Sequence, residues 1–253
     1  MEYVLLSNTN CMVSRTALSI DSLENYPTEE GVSLLRKAYE GGINFYQISN
    51  DNKHLKEILG YSFYGMRKEV FIAVASCALD TISLQQEIIS TLDTLNSTYI
   101  DIFSLHNDNF VPTKNTKDGL YTALLSAKAD ENIKSIGFST SKLKLAEEAL
   151  QSKLYNVIFL EFPLENSKLQ DIINFFEECK KQEIGLIIKH KTPISEEVDF
   201  SLIFGFLRKS ENLIPMWKIK NQEDLQQVLY FESNPPEFTD KDLEEIEKKQ
   251  DSN

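Results

Sequence analysis

A closed (β/α)8 barrel is the fold class this sequence predicts, and three observations carry the prediction. Eight short apolar runs alternate in strict order with eight amphipathic runs across 253 residues, and such barrels run to about 250 residues as one unit. Residues 70–75 read VFIAVA, the continuous apolar run of a parallel strand covered on both faces. No Gly-x-Gly-x-x-Gly follows the first apolar run, so the phosphate-loop signature of an open doubly wound sheet is missing.

The first strand is expected over 17–20. Thr28 has the side chain of an N-cap for a helix through Tyr39, which Gly41 and Gly42 end. A strand over 43–46 precedes a helix around 55–64. The VFIAVA strand precedes a helix over 82–95 that sets Leu84, Ile88, Leu92 and Leu95 on one face. The fourth strand, 100–105, leads to a helix within 116–130, the fifth, 133–138, to one over 142–151, and the sixth, 157–162, to one over 169–181. The seventh, 185–189, leads to a helix near 202–209, and the eighth, 213–217, to one over 221–231.

Two segments flank the units. Residues 1–16 read as a hairpin turning at Ser7-Asn8-Thr9-Asn10. Residues 17–232 form the barrel. Residues 233–253 form a tail, set off by Asn234-Pro235-Pro236, with a short charged helix over 239–249 that Thr239 caps. The whole of 1–253 reads as one domain.

Hydrophobic residues at 42% and charged residues at 26% are those of a soluble globular protein. A net charge of −13 speaks against nucleic acid or an anionic membrane as partner, since both need a basic face. The N-terminus has no basic n-region, and no apolar run nears the roughly 18 residues of a membrane span, so a cytoplasmic protein is expected. Cys11, Cys77 and Cys179 are far apart. They fit a reducing compartment and no zinc site.

Several motifs fall in order on these elements. They are the hairpin run Leu6-Ser7-Asn8-Thr9 to Val13-Ser14-Arg15, the stretch AYEGGINFYQISNDN from Ala38 to Asn52, Tyr99-Ile100-Asp101-Ile102-Phe103-Ser104-Leu105-His106, Ile133-Lys134-Ser135-Ile136-Gly137-Phe138-Ser139, and Phe238-Thr239-Asp240-Lys241-Asp242-Leu243. Together they resemble the aldo-keto reductases over almost the whole chain. The resemblance implies a barrel with an N-terminal hairpin across its bottom, and a site at the C-terminal ends of the strands. There an Asp, a Tyr, a Lys and a His reduce a carbonyl with NADPH, the Lys lowering the Tyr pKa so that it gives up its proton.

The resemblance places Gln47 at the Asp position, Asn52 at the Tyr position and Ala75 at the Lys position, and only His106 keeps its type. A positioned general acid contributes roughly 10²–10⁴ in rate, and neither an alanine nor an asparagine amide replaces it. Strand alternation turns Tyr46 to the face opposite Gln47. Among cofactor contacts, the resemblance leaves Ser139, Thr140, Lys189 and Lys218 as candidates. Phe159 stands where a Gln would hold the carboxamide, Met216-Trp217-Lys218 where a phosphate glycine would follow, and Val228 near the adenine contact. Lys189 is weighed as a Schiff-base amine against an ion pair with Glu161. His106 reads as a relic held in place or as a ligand contact. With His190 it lacks a carboxylate or Cys at metal-ligand spacing.

The expected function is therefore that of an aldo-keto reductase-like barrel without reductase activity. It would bind NADPH weakly or not at all, and act through a protein partner or a small molecule at the barrel mouth. The alternative is an NADPH-dependent oxidoreductase with atypical site residues. A third reading is a different barrel enzyme built on Gln47, His106, Glu161 and Lys189.

Overall fold

The computed structural model describes residues 1–49, 52–163, 167–194 and 199–250. The strands β1 (Tyr3–Leu5) and β2 (Met12–Ser14) pair antiparallel across a 3-10 turn at Ser7–Thr9. Eight further strands pair in parallel, in chain order, and close on themselves: β3 (Ala17–Ser19), β4 (Phe45–Ser49), β5 (Phe71–Ser76), β6 (Ile100–His106), β7 (Ile133–Thr140), β8 (Val157–Phe162), β9 (Gly185–Pro193) and β10 (Leu213–Lys218). The helices after them are α1 (Thr28–Glu40), α2 (Lys53–Ser62), α3 (Thr81–Leu95), α4 (Leu120–Ala129), α5 (Leu143–Ser152), α6 (Leu169–Lys181), α7 (Phe200–Lys209), α8 (Gln222–Ser233) and α9 (Asp240–Gln250). The expected barrel, hairpin and C-terminal helix are all present. Among the described residues no helix is long and apolar enough to cross a membrane.

The apolar residues form two layers. Inside the wall Phe45, Ala73, Ile102, Phe159, Ile187 and Met216 fill the lumen, and Leu6, Cys11 and Val13 of the hairpin close it from below. Between wall and helices lies a larger core that includes Tyr46, Phe103, Phe138, Phe176 and Trp217. Gly137 is needed inside: a Cβ there would stand 2.8 Å from the Ser104 Cβ and 3.0 Å from the Phe159 ring. The missing side chain lets that ring lie across the lumen.

Local chemistry explains where elements begin. Asp80 caps α3 by accepting from the Ile82 and Ser83 amides, and Asn221 caps α8 by accepting from the Asp224 amide. The expected Thr28 cap is not formed. Thr28 is the first helical residue, Pro27 holds the cap position, and no side chain bonds there. Thr239 precedes α9 as expected, but the bond runs the other way: its amide and hydroxyl both donate to Asp242 Oδ2, at 2.6 and 2.7 Å. This is the reciprocal half of a capping box. The helix is part of the body, since Ile246 is buried in the main core and α9 lies against α6 and α7.

Three strands run further toward the C-terminal mouth than their apolar patterns do. Strand β4 ends at Ser49, β7 at Thr140 and β9 at Pro193. The hydrophobic pattern stops where side chains turn polar, while the ladder continues, with Ser49 opposite Ala75, His106 opposite Ser139 and Lys218 opposite Pro193. Strand β9 thus takes up part of the stretch between the expected strand at 185–189 and the expected helix near 202–209, and 195–198 lies outside the described residues.

Candidate functional site at the barrel mouth

Alternation along the strands aims one set of side chains into the mouth: Ser19 from β3, Gln47 and Ser49 from β4, Ala75 from β5, His106 from β6, Ser139 from β7, Glu161 from β8, Lys189 from β9 and Lys218 from β10. They fall into two clusters.

The first is built around His106. Its Nδ1 lies 3.2 Å from Ser139 Oγ and its Nε2 lies 3.7 Å from Asp108 Oδ2. Asp108 accepts from Thr140 Oγ1 at 2.6 Å, from the Ser141 amide at 2.7 Å and from Ser141 Oγ at 2.6 Å. Lys142 Nζ donates to the Asp108 carbonyl at 2.7 Å. Burial pushes the Asp108 carboxyl pKa up, but the hydrogen bonds from Ser141 and Thr140, with His106 nearby, outweigh it and hold the pKa below its ordinary value. A depressed carboxyl stabilises the fold above its unfolded pKa, about 3.9, and that contribution is lost as pH falls through the folded value. Asp108→Asn is therefore expected to flatten the acid limb of stability below about pH 4. An unchanged acid limb in pH-dependent melts would count against the geometry.

The second cluster lines a cavity of 190 Å³ among the ends of β3, β4, β8, β9 and β10. Asp21 is fixed on one side, its Oδ1 accepting from the Ser49 amide at 2.7 Å and its Oδ2 from the Ser19 and Ser49 hydroxyls at 3.1 Å each. Glu161 pairs with Lys191 at 3.8 Å. The partner weighed from the sequence was Lys189, its neighbour across the ladder, but Lys191 leans over the carboxylate instead. Lys189 and Lys218 also line the cavity and have no acidic partner among the described residues. His106 does not line it.

Gln47 lies fully buried beside this cavity, level with Ser19 across the ladder and two residues before Ser49. Neither its amide oxygen nor its amide nitrogen has a hydrogen-bond partner among the described residues. Leaving such groups unpaired costs about 1–3 kcal/mol. Gln47→Met, close in shape and without the amide, is expected to stabilise the protein by about 1–2 kcal/mol in thermal melts. A loss of stability of similar size would mean that the amide is satisfied.

No family model matches the sequence, and no curated protein matches it. Comparison of the fold with solved structures does find relatives. An aldo-keto reductase from Bacillus halodurans superposes with a TM-score of 0.80 at 13% identity, over 98% of this chain and 96% of that one. A thermostable aldo-keto reductase solved with the inhibitor epalrestat gives 0.78 at 18% identity, over 98% and 99%. An aldo/keto reductase from Klebsiella pneumoniae, solved with NADP and acetate, gives 0.77 at 12% identity, over 98% and 95%. This chain has the aldo-keto reductase fold.

Three of the four tetrad positions share the inward side of adjacent strands, and the fourth is engaged at the start of α2. His106, Gln47 and Ala75 belong to inward faces of neighbouring strands, with Ala75 between Ser49 and Ser104 across the two ladders. Asn52 is spent on the scaffold: its side-chain oxygen caps α2 by accepting from the Leu55 amide at 3.1 Å. Tyr46 faces away as expected. Its hydroxyl donates to the Ile43 carbonyl at 2.6 Å, its ring lies 4.9 Å from Phe63, and burial holds its pKa well above the ordinary tyrosine value.

Among the positions weighed as cofactor contacts, Ser139 bonds His106, Thr140 bonds Asp108, and Lys189 and Lys218 face the second cavity. Phe159 and Met216 point into the lumen, but Val228 does not share their site, because α8 turns it into the outer core. His190 is on the outer face of β9, 5.6 Å from the Trp217 ring with Nδ1 2.9 Å from the Thr192 carbonyl, so it cannot share a ligand with His106.

Sequence reasoning passed over Asp21, Ser19, Ser49 and Lys191, and took Asp108 only as one of the polar neighbours of His106, with Asn107 and Asn109. A signal existed for Asp21, an acid two residues after an inward serine at a barrel strand's C-terminal end. The tertiary contact with Ser49, 28 residues away, had none.

Proposed function

We propose that this protein uses the aldo-keto reductase fold without reductase chemistry, and that it works by binding at the barrel mouth or through a protein partner. The observation that carries the reading is the fate of the tetrad positions. Ala75 has no functional group, the Asn52 amide oxygen is committed to capping α2, and the Gln47 amide is shut inside the wall. No acid of the kind the reductase step needs stands at those positions beside His106. The −13 net charge favours partners that carry basic or neutral surfaces.

Titration with NADPH, followed by its fluorescence, and an assay with a generic aldehyde test this. The expected result is no turnover. Saturable NADPH binding with steady aldehyde reduction would sink the proposal.

A second reading is an NADPH-dependent oxidoreductase with atypical site residues. It is favoured by one observation: His106 is retained, with Nδ1 3.2 Å from Ser139 Oγ and with Nε2, 3.7 Å from the Asp108 carboxylate and beyond hydrogen-bond range, left to donate to a carbonyl. The Klebsiella pneumoniae relative solved with NADP supports testing that cofactor first.

A further inference from the structure

The cavity among β3, β4, β8, β9 and β10 has a charge pattern that the fold does not require. Among the described residues three lysines, Lys189, Lys191 and Lys218, line it against two acids, Asp21 and Glu161, so their balance is positive in a chain of net charge −13. Lys191 and Glu161 neutralise one another at 3.8 Å. Asp21 is held by the Ser49 amide and by the Ser19 and Ser49 hydroxyls, and no described lysine forms an ion pair with it. That leaves two ammonium groups, Lys189 and Lys218, partly buried at one opening and facing the single carboxylate of Asp21 without an ion pair to it among the described residues, an excess of one positive charge. Placing two cations at a shared, partly desolvated site costs electrostatic energy unless a negative ligand repays it.

Size and the remaining polar groups narrow the ligand. A volume of 190 Å³ has room for about six water molecules at about 30 Å³ each. It falls below the roughly 300–1,000 Å³ of pockets that enclose cofactors and drug-sized molecules. The Ser19 and Ser49 hydroxyls spend their protons on Asp21, which leaves their oxygens as acceptors, and Glu161 accepts as well. Gln47 adds an unpaired amide just below the serines.

We propose that this cavity binds a small hydroxylated dianion, a phosphate monoester or dicarboxylate about the size of a triose phosphate. Lys189 and Lys218 take the charge, and the serine and Glu161 oxygens take the hydroxyls. The site gives a ligand class to the binding role proposed above and rests on that reading.

Calorimetric titration of the full chain at low salt with inorganic phosphate, glycerol 3-phosphate and malate tests the site. Saturable one-to-one binding of at least one of these is expected. The phosphate ester binding without malate assigns the phosphate class, and the reverse assigns the dicarboxylate class. Lys189→Met and Lys218→Met are each expected to weaken binding at least tenfold, with Lys144→Met, on the exposed side of α5, leaving it unchanged. Where a methionine variant fails to fold, Lys189→Gln and Lys218→Gln give the same reading. No binding by any of the three compounds overturns the site, and so does binding that survives loss of both lysines. These failures leave the non-reductase reading standing. Aldehyde reduction with NADPH would remove that reading and this inference with it.

Discussion

Trp217→Ala is expected to destabilise the protein by about 3–5 kcal/mol, the range for deleting a fully buried large aromatic. Trp217 sits on the outer face of β10 with no solvent exposure. Its ring lies 4.8 Å from Phe200 edge-on, 5.4 Å from Phe204 nearly parallel, and 5.6 Å from His190. Phe231 joins from α8, 5.4 Å from both phenylalanines. The indole is thus the hub by which β9, β10, α7 and α8 share one core. The indole Nε1 has no partner among the described residues, so no hydrogen bond is lost with the ring. Trp217→Phe is accordingly expected to cost much less, about 1–2 kcal/mol. At roughly 2–4 °C per kcal/mol for a chain of this size, the alanine variant should melt on the order of 10 °C lower. A shift of under about 3 °C would mean that the cluster is not packed as described.

Asp101→Ala comes next, at about 3 kcal/mol. Asp101 is 1% exposed. Its Oδ2 accepts from Arg67 Nη2 at 2.6 Å and from the Ile72 amide at 3.0 Å, and Lys134 Nζ lies 3.5 Å from Oδ1. Both cations also stack on Tyr99, at 4.4 and 3.4 Å from the ring centroid. Removing the carboxylate would strand the Arg67 charge and a backbone donor together. Asp101→Asn keeps an acceptor for the Ile72 amide and should lose less. The two variants, compared by denaturant melts, separate the charge from the hydrogen bond. Equal losses would assign the whole effect to the charge, and an Asp101→Asn variant as stable as the parent would show that the ion pair contributes nothing.

Asp101 also shows what the sequence motifs of this protein record. Its run, Tyr99 to His106, resembles the strand that ends in the catalytic histidine, yet the residue most tightly held in it ties β5, β6 and β7 together on the outside of the wall. Other persisting motif residues do structural work as well. Gly137 makes room for the Phe159 ring, and Asn44 in the Gly-Ile-Asn-Phe run accepts from the Ser14 amide at 2.7 Å, fastening the hairpin to the wall.

The site was only partly legible. Gln47, Ala75 and His106 were placed at the mouth by the resemblance, and alternation, a local rule that needs no tertiary knowledge, turned Tyr46 away from Gln47. That the Asn52 side chain turns back to cap α2 was not legible, because nothing local distinguishes a side chain aimed at a mouth from one that caps its own helix. Lys189 and Lys191 have the same parity on β9. Which of them meets Glu161 depends on where long side chains swing above the ladder.

From residues alone follow the eight alternating units, the closed barrel and an N-terminal hairpin, because periodicity is a property of the chain itself; the place of the hairpin beneath the barrel and the reading of Gln47, Asn52 and Ala75 as replaced groups rest on the resemblance to the aldo-keto reductases. Only the tertiary structure decided that the mouth divides into a histidine cluster and a lysine cavity. It also decided that Asp21 is bound by a strand 28 residues away, that Gln47 has no hydrogen-bond partner among the described residues, and that Val228 belongs to the outer core. Those are matters of distance between segments remote in sequence, set by the register and stagger of the closed sheet and by the room its neighbours leave.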